Sequence, residues 1–343
     1  MFRKAGTEMK AVIVTEFGGP EVLKMADIPI PAIGPDQVLI KVHATSVNFA
    51  DIKSRYGQYH GASQPPFVPG LDAAGVVETV GSNVTQWHPG QRVIAFPKNG
   101  SYAEYVCADA ALTFALPPEI DWDTAAACPL VSFTSYKLLH DVARLTPGET
   151  VLVHAAAGGI GTTATQLAKI LGAGLVIGAV GDPSKIPVSL SAGADHAFCC
   201  TSGNFSDQVN DLTHGRGADV ILDSIAGSVT GQSLQCLAPY GRLVVFGNAS
   251  GQPGVVHTTD LHASCRAVLG FSLGTTRNER PELLQDTAEH VMDYLATGRL
   301  KMTVGRTFPL SEARAAQGWV ENRQSTGKVL LVVSPSRSGG TPV

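Results

Sequence analysis

Residues 151 to 173, VLVHAAAGGIGTTATQLAKILGA, place Ala156, Gly158 and Gly161 at the spacing of the G-x-G-x-x-G fingerprint, with Ala standing for the first glycine. Small side chains there let the backbone approach a pyrophosphate, and the N–H groups and dipole of a helix start hold its negative charge. Gly159 and Ile160 lie within the same turn. A merely tight strand-to-helix turn would use similar residues, but a strand-like TVLVHA before, a helix-like run after and a second strand-like LVIGAV favour dinucleotide binding. The second strand runs into Gly181 and then Asp182, Pro183, Ser184 and Lys185. An acid at the strand end would bond the ribose 2′-hydroxyl of NAD and repel the 2′-phosphate of NADP. Here the end itself has none and Lys185 offers a phosphate partner, while Asp182, one place later, argues the other way. NADPH is the expected cofactor. Taken alone, Lys185 reads as a solvated loop lysine. Phe246, Gly247 and Asn248 follow the run GRLVV at a strand end, the edge where open parallel sheets bind ligands. Phe246 also reads as a core residue closing its strand.

The elements that must position these residues divide the chain. From Lys10 to about Val106, short strand-like runs are cut by Gly and Pro: KAVIV, QVLIKVHA, AAGVVETVG, QRVIAF and YAEYV. Such spacing predicts a small β-barrel or sandwich. After Pro117 and Pro118, WDTAAACPLVSFTSYKLLHDV reads as one amphipathic helix. Strand-like TVLVHA, LVIGAV, ADVILDS and GRLVVFGN then alternate with helical segments, which predicts β-α-β units and a parallel sheet. PELLQDTAEHVMDYLAT, 281–297, reads as a helix with Pro in its first turn, and GKVLLVV returns to strand character. The expected fold is α/β: a doubly wound parallel sheet over 126–299 and a β domain from 1–125 and 300–343, with 334–343 a disordered tail.

Bulk properties exclude several functions. A chain of 343 residues favours two domains. No apolar run approaches the ~20 residues of a membrane span, and the N-terminus does not read as a secretory signal. A cytoplasmic protein is expected. A net charge of -4 gives no electrostatic reason to bind nucleic acid or an anionic membrane. The six cysteines form no C-x-x-C pair, and the ten histidines form no H-x-x-x-H or H-x-H pattern. Reduced, mostly buried thiols and surface or satisfied core histidines, His154 among them, are expected.

With these residues in view, the chain resembles the medium-chain dehydrogenase/reductase superfamily, and within it the zinc-independent, zeta-crystallin-like quinone oxidoreductases. MKAVIV, GPEVL, VNFADIKSRYG, PFVPGLDAAGVVETVGSNV, GQRVIAF, GSYAEY, HAAAGGIGTTATQLAK, FGNASG and ENRQSTGKVLL carry the resemblance over nearly the whole chain. It implies a GroES-like β domain built from both chain ends, a Rossmann domain between them, and an active site in the cleft. In related zinc enzymes the stretch matching Asn48 to Asp51 begins with a Cys ligand, and that matching Gly70-Leu71-Asp72 carries a His-Glu pair. Asn48 and Leu71 hold the Cys and His places, and Leu has no donor for a metal. The four-cysteine lobe is missing, since only PKNG separates Phe96 from Ser101. No metal is expected.

The resemblance further implies that Asn48 and Asp51 line the cleft near the nicotinamide, and that Thr134 of SFTSY contacts its carboxamide side. Related quinone reductases often carry Tyr at the place of Lys53, so the proton would come from Lys53, Tyr56 or water. Phe246 to Asn248 border the nicotinamide and its ribose, with Gly181 and Phe271 among the cofactor contacts. Lys185 and Arg323 match two cations that hold the 2′-phosphate, while Cys200 stands where a third contact, a Tyr, would be. Without a Lewis acid the substrate must bring its own electrophilicity. Hydride transfer from NADPH to a quinone is the expected reaction. Reduction of an enone, alkenal or enoyl thioester double bond is the rival, and a non-catalytic NADPH-binding role is the alternative of another class. A homodimer is expected, with AVLGF extending the sheet across a two-fold axis.

Overall fold

The computed structural model describes residues 8–59, 63–201 and 203–333, so the expected tail 334–343 lies outside the described residues. The chain forms two compact units: residues up to Leu130 with Glu279–Ala296 and the chain from Val304 onward, and Val131–Asn278 with Thr297–Thr303.

In the first unit a seven-stranded sheet runs Val304–Pro309, Lys328–Val332, Gln37–Val47, Ala73–Val80, Arg92–Ala95 and Thr113–Ala115, with Tyr105–Asp109 also paired to Gln37–Val47. Strands Glu8–Val14 and Leu23–Pro29 form a separate antiparallel pair. Gln37–Val47 is central because its sequence, QVLIKVHATSV, is rich in β-branched residues and buries all but a few side chains. Two apolar clusters sit on this unit, one around Val38, Ile40, Val42, Val77 and Val93, the other around Val12, Val14, Val47, Phe308 and Leu331.

In the second unit six parallel strands run in the order His196–Cys199, Leu175–Val180, Thr150–His154, Ala218–Asp223, Leu237–Val245, Ala267–Gly270. Val151, Leu152, Val153 and Val220, Ile221, Leu222 are fully buried, as continuous apolar runs in a doubly covered parallel sheet must be. Helix Gly159–Ile170 follows the first of these strands and ends before Gly172, whose φ of +95° suits glycine.

Two expectations need correction. The single helix expected from Trp122 to Val142 is three pieces: Trp122–Ala127, Pro129–Tyr136 and a π-helical Lys137–Val142. Pro129 lacks the N–H that would continue the first helix and suits the first position of the next. The segment Glu279–Ala296, placed by sequence in the nucleotide-binding half, belongs to the first unit, where Gln285 Nε2 donates to the Ala111 carbonyl at 3.1 Å. Its Pro281 opens a 3-10 turn, and the α-helix proper is Gln285–Ala296. No helix among the described residues is long and apolar enough to cross a membrane.

Candidate functional site

In the second unit all strands are parallel, so the residues that follow them collect at one edge. Ala156 and the Gly158–Gly161 turn follow Thr150–His154, Gly181 and Lys185 follow Leu175–Val180, Phe246 to Asn248 follow Leu237–Val245, and Phe271 follows Ala267–Gly270. Strand Thr150–His154 lies between Leu175–Val180, the next in sequence, and Ala218–Asp223, where the strand order reverses. Open α/β sheets bind ligands at the carboxyl edge beside such a reversal.

The turn itself fits a pyrophosphate. Ala155 sits at φ +51°, left-handed for a residue with a side chain, and turns the chain out of its strand. Gly158 caps helix Gly159–Ile170 without a side-chain hydrogen bond, which leaves the first helical N–H groups for an anion. A Cβ on Gly161 would stand 2.3 Å from the Ala155 carbonyl oxygen and 2.5 Å from Ala156 Cα, so the helix packs closely only with glycine there. The Ser135 hydroxyl donates to the Ile160 carbonyl at 3.4 Å, tying helix Pro129–Tyr136, which carries buried Thr134, to this turn. A Cβ at Gly181 would meet nothing within 4 Å, so the chain is open at the next strand end. Asp182 Oδ1 accepts from the Ser184 N–H at 2.8 Å and its hydroxyl at 2.6 Å. These bonds hold its carboxyl below the usual range and turn it into its own loop. Phe246 is half-buried, Asn248 exposed, and the Phe271 N–H donates to the Val245 carbonyl at 3.1 Å, which places both aromatics at neighbouring strand ends.

Sequence reasoning missed Asp223 here. Buried at the end of its strand, it accepts from the N–H groups of Ile225 and Ala226 at 2.8 and 2.9 Å and from the Thr230 hydroxyl at 2.8 Å, closing the loop beside the reversal. His154 is a satisfied core residue: its Nε2 lies 3.0 Å from Ser233 Oγ, and burial pushes its pKa down to about 4, against the charge of Asp223.

The first unit gathers a different constellation. Strand Lys328–Val332 pairs antiparallel with Gln37–Val47, Val329 opposite Val47, so Lys328 comes beside Asn48. Its ammonium donates to Asn48 Oδ1 at 2.6 Å and to the Val47 carbonyl at 3.2 Å. Asp72, just before Ala73–Val80, accepts from the Ser46 hydroxyl with both carboxylate oxygens at 2.9 Å. Asp51, in the first turn of helix Phe49–Arg55, accepts the Asn48 N–H at 2.8 Å and lies 3.4 Å from the Tyr102 hydroxyl, both through Oδ2. Asn48, Asp51, Asp72 and Lys328 are all at most 4% exposed. Burial, then the charge of Asp72, raises Asp51 to a pKa of about 7 against the opposing pull of the Asn48 N–H, Lys328 and Tyr102. Burial lowers Lys328, opposed by Asp72, Asp51 and Cys128.

The expected proton donors stand apart from this cluster. Lys53 lies over the Phe49 ring, 5.8 Å from its centroid, four residues along the helix and off the Asp51 face. The Tyr56 hydroxyl donates to Glu321 Oε1 at 2.6 Å, while Arg55, fully buried, donates to Gln317 at 2.5 Å and Glu321 at 2.7 Å. Arg323 is exposed just past helix Ala313–Glu321. Lys328, Tyr102 and Asp72 all fall within stretches that carry the family resemblance, but nothing local marks any of them as part of a site. His43 departs from the satisfied-histidine expectation: it stacks on Trp122 at 4.2 Å, and its Nδ1 has no partner among the described residues.

Comparison with known proteins gives these arrangements a context. A family model described as zinc-binding dehydrogenase matches residues 159–289, and one described as alcohol dehydrogenase GroES-like domain matches 34–118. The chain is 34% identical to the quinone oxidoreductase of Homo sapiens, over 95% of this chain and 98% of that one. It is 31% identical to the synaptic vesicle membrane protein VAT-1 homolog of Danio rerio (96% and 71%) and 33% identical to a 2-haloacrylate reductase of a Burkholderia species (94% and 98%). The structure of Escherichia coli quinone oxidoreductase complexed with NADPH superposes with a TM-score of 0.88 at 31% identity, covering 94% of this chain and all of that one.

Proposed function

We propose, since the chain belongs to the medium-chain dehydrogenase/reductase superfamily, that it is an NADPH-dependent quinone reductase that works without zinc. The observation that carries this reading is the Lys328 ammonium 2.6 Å from Asn48 Oδ1. The place of a zinc ligand is already served by a positive charge, and Leu71 offers no donor beside it. A divalent ion about 4 Å from that ammonium would meet several kcal/mol of repulsion at an effective dielectric near 20. The residues present do not fit a catalytic zinc.

They do fit the dinucleotide. The N–H groups from Gly159 onward would hold the pyrophosphate, Lys185 the 2′-phosphate, and Phe246 to Asn248 with Thr134 would flank the nicotinamide. NADPH supplies hydride when bound. The chain's part is to hold the acceptor, exclude water and furnish a proton. With no Lewis acid to polarise an unactivated ketone, the acceptor is a quinone, whose conjugated carbonyls take hydride readily. A homodimer through the edge strand Ala267–Gly270 belongs to the same proposal.

Double-bond reduction is the second reading, favoured by the likeness to 2-haloacrylate reductase, whose name describes an activated alkene as substrate. The test is loss of NADPH absorbance with 1,4-benzoquinone and a simple enone in parallel, a chelator present throughout. Quinone turnover supports the proposal. Turnover of the enone alone moves it to double-bond reduction. NADPH binding with silence on both favours a non-catalytic role.

A further inference from the structure

We propose that Asp182 is a positioning residue for the 2′-phosphate of NADPH: it caps the turn Pro183–Lys185 and so shapes the loop that receives the phosphate, where a freely placed acid would select NAD. The inference rests on the placement of the 2′-phosphate beside Lys185 proposed above. An acid at the end of the second strand of such a fold ordinarily bonds the ribose 2′-hydroxyl and repels a 2′-phosphate. Asp182 is the first acid past strand Leu175–Val180, and it is exposed. Its hydrogen bonds give it a different task.

Both donors of Ser184 converge on one oxygen of Asp182, the N–H reaching Oδ1 at 2.8 Å and the hydroxyl at 2.6 Å. This is the bond of an N-cap, made to the backbone two residues on. Pro183 reinforces it, because a residue before proline is held extended, and Asp182 sits at φ −147° and ψ 134°. From there the chain closes a 3-10 turn, the Lys185 N–H donating to the Asp182 carbonyl at 3.0 Å, and passes into helix Ile186–Ser191. Asp182 thus fixes the start of the turn through its side chain and the end of it through its carbonyl.

The adjoining strand end offers a phosphate little. Strand His196–Cys199 pairs with Leu175–Val180, Cys199 opposite Val180, and the Cys200 N–H donates to the Val180 carbonyl at 2.9 Å. The side chain there is a thiol, a weak donor. A Cβ at Gly181 would meet nothing within 4 Å, so the chain beside Asp182 leaves room for the phosphate. With Lys185 as the cation, the course of the turn decides where positive charge stands, and the cap sets that course. Removing the cap and removing the charge are therefore different perturbations. Asn keeps an oxygen for the Ser184 N–H and drops the charge, whereas Ala drops both.

Calorimetric titration of the full chain with NADPH and with NADH separates the two. Asp182→Ala should weaken NADPH binding about fivefold and leave NADH within about twofold, as expected of a lost cap whose effect falls on the phosphate loop. Asp182→Asn should bind NADPH at least as tightly as wild type, because the cap is kept. The proposal is overturned if both substitutions tighten NADPH and weaken NADH, the mark of an acid that selects against phosphate. It is overturned equally if Asn weakens NADPH as Ala does, or if Ala leaves NADPH binding unchanged. Lys185→Ala tells the proposal apart from the reading beneath it. An unchanged Kd for NADPH in that variant withdraws the placement of the 2′-phosphate, and the role of Asp182 with it. Weaker NADPH binding in Lys185→Ala, together with tighter binding in Asp182→Ala, leaves the placement standing and overturns the role of Asp182 alone.

Discussion

The two units present their polar groups by opposite means. At the carboxyl edge of the parallel sheet the groups offered to a ligand are backbone N–H groups, exposed by small residues and an uncapped helix start. In the β unit they are side chains, Asn48, Asp51, Asp72 and Lys328, buried and interlocked. A site made from backbone is tolerant of side-chain chemistry but intolerant of volume. A site made from buried side chains tolerates little change in charge, because removing one member leaves the rest without a partner.

Substitutions at each place test that contrast. Lys328→Met should be the most damaging, costing about 3–5 kcal/mol because it strands Asn48 Oδ1 and removes the cation that faces the buried Asp72 and Asp51; thermal unfolding of the variant measures it. Next comes a difference in pH response. His154 has a folded pKa near 4 against 6.5 for the free side chain, so the unfolded chain binds more protons between those values. Stability should therefore be complete above 6.5 and fall as pH drops toward 4, by up to about 3 kcal/mol. His154→Gln should flatten that limb in urea titrations. Asp51 runs the other way. Its folded value of about 7 lies above the ordinary 3.8, so the native state holds the extra proton and stability declines as pH rises between the two, a decline absent from Asp51→Asn. Gly161→Ala, which drives a Cβ against the Ala155 carbonyl and Ala156 Cα, should cost about 1–3 kcal/mol. In a calorimetric titration it should also weaken NADPH binding at least about tenfold. The mildest change is Lys185→Ala: NADPH affinity falls, NADH affinity holds, and stability stays within about 0.5 kcal/mol.

The same contrast explains what could be read from the chain. The Gly158–Gly161 turn was legible because its glycines, strand and helix are consecutive, and the alternation of TVLVHA, LVIGAV and ADVILDS announced the parallel sheet. The break at Cys128 and Pro129 is written in the sequence as well, but the spaced apolar residues on either side mask it. Lys328 was not legible. Nothing in GKVLL distinguishes a lysine at a solvated strand start from one sealed at 3% exposure, and its role follows only from the pairing of two strands far apart in the chain. Asp223 failed for a smaller reason, since a strand-end aspartate reads equally as a loop residue. The grouping of Glu279–Ala296 depends on tertiary contacts such as Gln285 with Ala111, which no local pattern encodes.

The bond from Lys328 to Asn48 spans 280 residues, whereas most of the nucleotide-binding unit is one unbroken stretch, Val131–Asn278. During synthesis at about 5–20 residues per second, roughly 15–55 s separate the emergence of the two bonded residues 280 positions apart. Throughout that interval the nascent β unit carries Asp51 and Asp72 without the Lys328 cation and Asn48 Oδ1 without its donor, while the stretch between them can already reach its native pairing on the ribosome. The chain path thus leaves the parallel sheet free to close first, and Lys328 reaches the charge cluster only with the final strand.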